Sequence, residues 1–168
     1  MLGAGRWTDC GVRVWLDIGS LALAPRRPLG AWDMTIARLE SDNWIDRCDR
    51  PLTIPNPIWE QVEKAIWRLN DYRHSTVVLA LDGSDSRYMM VAGRLNDRCM
   101  VNTTDDNHDF YSLVDPTQPE GTVLLDVGGQ GGDYKLTRLV PVDWAIEAAK
   151  EYYVSGTRKA ALNWVSDY

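Results

Sequence analysis

The chain has 168 residues and a formal net charge of −6, from 24 acidic against 18 basic side chains. Its length suits one domain burying about two thirds of its unfolded surface. Its charge argues against nucleic acid as a partner, because a phosphate backbone is held by basic surface that displaces counterions; a basic protein suits it better.

No run approaches the ~18 apolar residues of a membrane helix, and Asp9, Arg13 and Asp17 interrupt the start of the chain, where a leader would carry a clean apolar core. Cys10, Cys48 and Cys99 lie far apart and are odd in number, which favours free thiols and a reducing compartment over a disulfide framework. We therefore expect a cytoplasmic protein with no membrane segment.

Residues 1–33 show no sustained period. Gly3, Gly5, Gly11, Gly19 and Gly30, with Pro25 and Pro28, punctuate them, although Val12 to Leu16 could pair as a short strand. We expect an N-terminal extension there, native synthesis starting at Met34, and a single domain over 34–168. Thr35 to Leu39 alternates like an edge strand, and Ser41 to Thr53 reads as a polar connection anchored by Trp44 and Ile45. A helix follows, with Asn56 as N-cap and Pro57 in its first position, ending near Tyr72. Its apolar stripe is Ile58, Val62, Ala65, Ile66 and Leu69.

Thr76 to Leu81 is apolar and β-branched, as in a central strand, and Asp82-Gly83-Ser84 is a turn signal. Further strands are expected at Tyr88 to Ala92, Arg98 to Asn102, Phe110 to Val114 and Thr122 to Val127. Gly128-Gly129-Gln130-Gly131-Gly132 then marks a reversal before a strand from Asp133 to Leu139. From Val142 to Val154 the period becomes helical, with Val142, Ala145, Ile146, Ala149 and Tyr153 on one face. Closely spaced strands with one helix before and one after predict an α+β fold. We expect an antiparallel sheet of about five to seven strands carrying two main helices. Of the eight tryptophans, Trp67, Trp144 and Trp164 are read as helix–sheet filling.

The stretch Val123-Leu124-Leu125-Asp126-Val127-Gly128-Gly129-Gln130, then Val140-Pro141-Val142-Asp143, Ala148 to Gly156 and Leu162-Asn163-Trp164 resembles the end of Immunity protein family one of bacterial polymorphic toxin systems. In that family a hydrophobic strand ending in Asp-x-Gly-Gly leads to a second strand, a Pro-initiated helix, a Gly turn and a segment closing on Trp. The resemblance assigns fold-forming roles to Asp126, Gly128, Gly129, Pro141, Gly156 and Trp164. It implies a protein that binds and neutralises a cognate toxin domain, often a nucleic-acid-directed toxin such as a deaminase.

Chemistry has little support in the residues themselves. The glycine turn precedes a strand, lacks Gly-Lys-Ser/Thr, and in a Gly-x-Gly-x-x-Gly frame starting at Gly129 places Tyr134 where the third glycine belongs, so no phosphate loop is expected. Asp105, Asn107 and Asp109 could open a calcium loop, but Phe110 stands at its glycine position and Pro116 at its bidentate glutamate. With two histidines that share no ligand spacing with a cysteine, no metal site is expected either. Nor is there a Gly-x-Ser-x-Gly elbow. We expect neither an enzyme nor a bound cofactor; the alternative is a small-molecule sensor or enzyme on the same fold.

Charge supplies the expected docking mode. Ten acids against three bases fall between Asp82 and Asp133, and acidic loops steer a basic partner. Asp105, Asp106 and Asp109 are the first candidates for the interface, Asp82 and Asp85 the second, accompanied by Tyr88 or Tyr111.

Overall fold

Period-two burial organises the centre of the molecule. In β5 (Thr76–Ala80) and β6 (Tyr88–Leu95), Val77, Leu79, Met89 and Val91 are buried toward one side, while Met90 and Ala92 pack toward the other. These strands belong to an eight-stranded sheet in which every pairing is antiparallel. It also contains β1 (Arg38–Ser41), β4 (Leu52–Pro55), β7 (Arg98–Thr104), β8 (Phe110–Leu113) and β12 (Trp164–Ser166). Their order is β12-β8-β7-β6-β5-β1-β4, and the two-residue β11 (Val140–Pro141) pairs with β7. The computed structural model describes residues 36–81 and 85–167. The expected strand at Val12 to Leu16, the extension over 1–33 and the turn at Asp82 to Ser84 lie outside them.

One face of the sheet carries both helices, α1 (Trp59–Arg68) and α2 (Val142–Ser155). Val62, Ile66 and Leu69 from the first and Val142, Ala145, Ala148, Ala149, Tyr152 and Tyr153 from the second or its edge close over Leu39, Val77, Leu79, Met89, Val91, Val101 and Leu113. Tyr153 stitches the helices together: its hydroxyl donates to the Pro57 carbonyl at 3.0 Å, and its ring meets Trp59 edge-on at 5.6 Å. The opposite face carries a separate hairpin of β9 (Thr122–Val127) and β10 (Gln130–Lys135). Val123, Leu125 and Val127 pack with Ala92, Met100, Leu139 and, from the 3₁₀ turn Leu136–Arg138, Leu136. Its seat is a bulge. The β6–β7 register shifts between Ala92 and Arg94, and Gly93 there has φ +57°, with Leu125 and Val127 about where a side chain would stand.

Several local expectations are corrected. The first strand is interior, lying between β5 and β4. Ser41 to Thr53 is no mere connection: β2 (Trp44–Ile45) and β3 (Cys48–Asp49) form a small hairpin before β4. Asn56 does not cap α1, because its N–H bonds the Ala37 carbonyl at 2.8 Å and its φ is +47°. The helix opens two residues after Pro57, where the Gln61 side chain accepts the Ile58 N–H at 2.9 Å. Ile58 is thereby left exposed, and α1 ends at Arg68 rather than Tyr72. Trp67 is also exposed, with the Arg94 guanidinium 5.4 Å from its ring centre. Gly131 and Gly132 lie inside β10, opposite Asp126 and Leu125, since a ladder asks only for their backbone groups; the reversal is Gly128-Gly129 alone. The strand expected to run to Leu139 stops at Lys135. Cys48 is disulfide-bonded, against the expectation of three thiols. Cys99 is a free thiol, pushed up to about 12 by burial against the opposing Arg94 charge.

Candidate functional site

Register places the loops that carry the candidate acids. Tyr88 faces Thr104 and Thr104 faces Phe110, so the β5–β6 and β7–β8 loops leave the same end of the sheet. Asp85, Asp105, Asp106 and Asp109 are therefore gathered there, all exposed; Asp82 lies outside the described residues. Arginines share this end. Arg38 forms an ion pair with Asp85, and Arg158, from the segment after α2, stands 3.7 Å from Asp105. The guanidinium of Arg158 also lies 3.7 Å from the centre of the Tyr111 ring, beside a cavity of about 450 Å³ lined by Arg87, Thr103, Tyr152 and Trp164 among others.

Asp106 braces its own loop. Its carboxylate accepts the N–H groups of His108 at 2.9 Å and Asp109 at 2.8 Å. Those bonds, the Asp109 amide first, hold its carboxyl below the usual range. Among the described residues Asp109 is left as the member of the set whose carboxylate has no bond or ion pair, and Asn107 at φ +61° makes the turn that presents it.

The two aromatic candidates part company. Tyr88 lies on the hairpin-bearing face, edge-on to Phe110 at 6.5 Å, and burial raises its pKa. Tyr111 pairs with Thr103 and Ser166 on the helix-bearing face. The acids of the 82–133 window also divide. Asp97 sits in the β6–β7 turn at the opposite end of the sheet. Asp115 is buried, receiving Arg98 at 2.6 Å and the Thr117 hydroxyl at 2.6 Å. Those partners, Thr117 first, lower its pKa. Asp126 and Asp133 belong to the β9–β10 hairpin. The acids of that window are thus divided: four mark one end of the sheet, and others lie elsewhere.

The six motif residues have structural positions. Asp126 is half-buried in β9, and Gly128 and Gly129 form its two-residue turn with φ +61° and +75°. Pro141 precedes α2, Gly156 ends it in the left-handed region at φ +70°, and the Trp164 indole donates to the Lys159 carbonyl at 3.0 Å.

What holds that turn was not foreseen. Gly128 N–H donates to the Ser75 hydroxyl at 2.9 Å, which donates to Asp42 at 2.5 Å. The buried Asp42 carboxylate also accepts the amides of Ser75 at 2.7 Å and Thr76 at 2.9 Å and the Trp44 indole at 2.9 Å. The Trp44 ring is consequently laid against Gly129. No signal in the sequence linked residues 42, 75 and 128.

Among the described residues no three His, Cys, Asp or Glu side chains converge as a metal site would require, and no helix is long and apolar enough to cross a membrane. Set against known families, residues 49–166 match the family model described as Immunity protein Imm1. No curated protein matches the chain.

Proposed function

This chain belongs to the Imm1 family of immunity proteins, and from that premise we propose that it binds a cognate toxin domain and neutralises it stoichiometrically in the bacterium that makes it. Family membership carries this reading. The toxin is a nucleic-acid-directed enzyme, a deaminase being the leading class, whose cleft is edged with basic surface. Asp85, Asp105, Asp106 and Asp109, at one end of the sheet, meet that basic surface, with Asp109 foremost because its carboxylate is free. Rigid strands behind these loops limit the ordering cost of association. Inhibition by covering a surface needs no catalytic group of its own.

Co-expression with the toxin domain encoded beside it tests the class. Growth should be restored by this chain and lost without it; continued killing despite stable expression overturns the immunity reading. Replacing Asp105, Asp106 and Asp109 together by Lys tests the docking mode separately. Unchanged affinity would show the acidic loops to be bystanders.

A further inference from the structure

Asp126 does more than shape a hairpin. Among the described residues its Oδ1 is buried without a hydrogen-bond partner, and the carboxylate makes no ion pair. A second acid lies next to it, since Asp71 accepts the Asp126 N–H at 3.0 Å. Half-buried carboxylates ordinarily acquire a cation or several donors, and one that has neither calls for an explanation.

The surroundings supply one. Asp126, Trp44, Tyr72, Gly129, Asp46 and Arg47 line a recess of about 300 Å³. Trp44 is a fixed wall, its indole tied to Asp42 and its ring against Gly129. Tyr72 is 82% exposed, the most exposed large apolar side chain among the described residues. Beside the two aromatic rings, the carboxylates of Asp126, Asp46 and Asp71 outnumber the basic groups nearby, Arg47 and Arg73. A planar cation suits them together: it stacks on the rings and donates to the open side of the carboxylate, Oδ1 being closed to solvent. An ammonium, a compact and strongly hydrated charge, uses the rings and the carboxylate less well.

We propose that this recess is a receptor for one arginine side chain of the protein partner, with Asp126 as its anion and Trp44 and Tyr72 as its walls. The origin of the arginine rests on the toxin-binding reading; the chemistry of the recess does not. The site is separate from the acidic loops, because Leu125 and Val127 pack the hairpin beside Gly93, at the far end of β6 from Tyr88. It gives the partner a second, directional point of attachment.

The test uses acetyl-Gly-Arg-Gly-amide and its citrulline isostere, titrated into the full chain while the Trp44 indole N–H resonance is followed by NMR. The arginine peptide should shift that resonance saturably and the citrulline peptide should not. Asp126→Asn, which keeps the shape, should weaken binding about tenfold or more, and Tyr72→Ala, at an exposed position, about two- to fivefold. Absence of a shift, an equal response to citrulline, or unchanged affinity in a folded Tyr72→Ala chain overturns the proposal. With the toxin domain, Asp126→Asn should speed dissociation about tenfold or more, and an unchanged rate overturns the partner assignment. A wild-type chain that bound no toxin domain would instead remove the immunity reading, while the peptide titration still decided the recess.

Discussion

At the scale of residues, two adjacent glycines separate backbone strain from steric exclusion. Gly128 and Gly129 both have positive φ, so a side chain at either costs about 1 kcal/mol. A Cβ on Gly128 would meet nothing within 4 Å, whereas one on Gly129 would stand inside the Trp44 ring. Gly128→Ala should therefore lose about 1 kcal/mol in urea unfolding and Gly129→Ala about 2–4 kcal/mol. Equal losses would show that Trp44 swings away freely. Asp115 supplies a prediction in pH. Its folded-state pKa is lowered by Thr117 and Arg98, so the unfolded chain binds more protons near its ordinary pKa of about 3.9. The stabilisation is present above that value and fades as pH falls through the lower folded value. Thermal midpoints should drop between pH 5 and pH 2.5, and Asp115→Asn should flatten that drop while losing about 2–3 kcal/mol at pH 7.

Among the elements, the Asp42 network decides whether the β9–β10 hairpin stays seated. One carboxylate holds the start of β5, the Trp44 ring and, through Ser75, the hairpin turn. Asp42→Ala leaves those donors without their acceptor and should cost about 2–4 kcal/mol. Hydrogen exchange locates the effect: amides of Val127, Gly128 and Gln130 should lose protection before those of β6 and β7. Uniform loss across the sheet would mean that the hairpin is no separate unit. Strands β5 to β9 and helix α2 were legible in the sequence, β5 as an apolar β-branched run, the other strands as short runs between turn residues, and the helix by its 3.6-residue period. The β2–β3 hairpin was not, since two-residue strands carry no period to detect. Gly131 and Gly132 misled in the opposite direction: glycine disfavours strands through entropy and lost packing, yet here the inner face of the hairpin is already supplied by Val123, Leu125 and Val127. The acidic loops were found as composition. The recess around Asp126 could not be, because Trp44, Tyr72 and Asp126 meet only after the sheet has brought their loops together.

For the whole molecule, net charge sets how fast a partner arrives more than how tightly it stays. A chain at −6 attracts a basic domain from beyond contact range, by an amount that salt screens over about 10 Å at 0.1 M. Position then matters. Asp85 and Asp105 are matched locally by Arg38 and Arg158, and Asp106 is committed to its loop. Asp109 carries an unmatched charge at the tip, so its reversal should remove most of the steering that this end provides. Asp109→Lys should slow association with the toxin domain by about three- to tenfold at low salt and flatten the dependence of that rate on ionic strength, with dissociation nearly unchanged. Stopped-flow mixing at two salt concentrations separates the terms. A variant that associated normally but dissociated faster would place Asp109 in a desolvated contact rather than on the approach path. A variant altered in neither rate would direct attention away from this end of the sheet and toward the hairpin as the surface that meets the partner first.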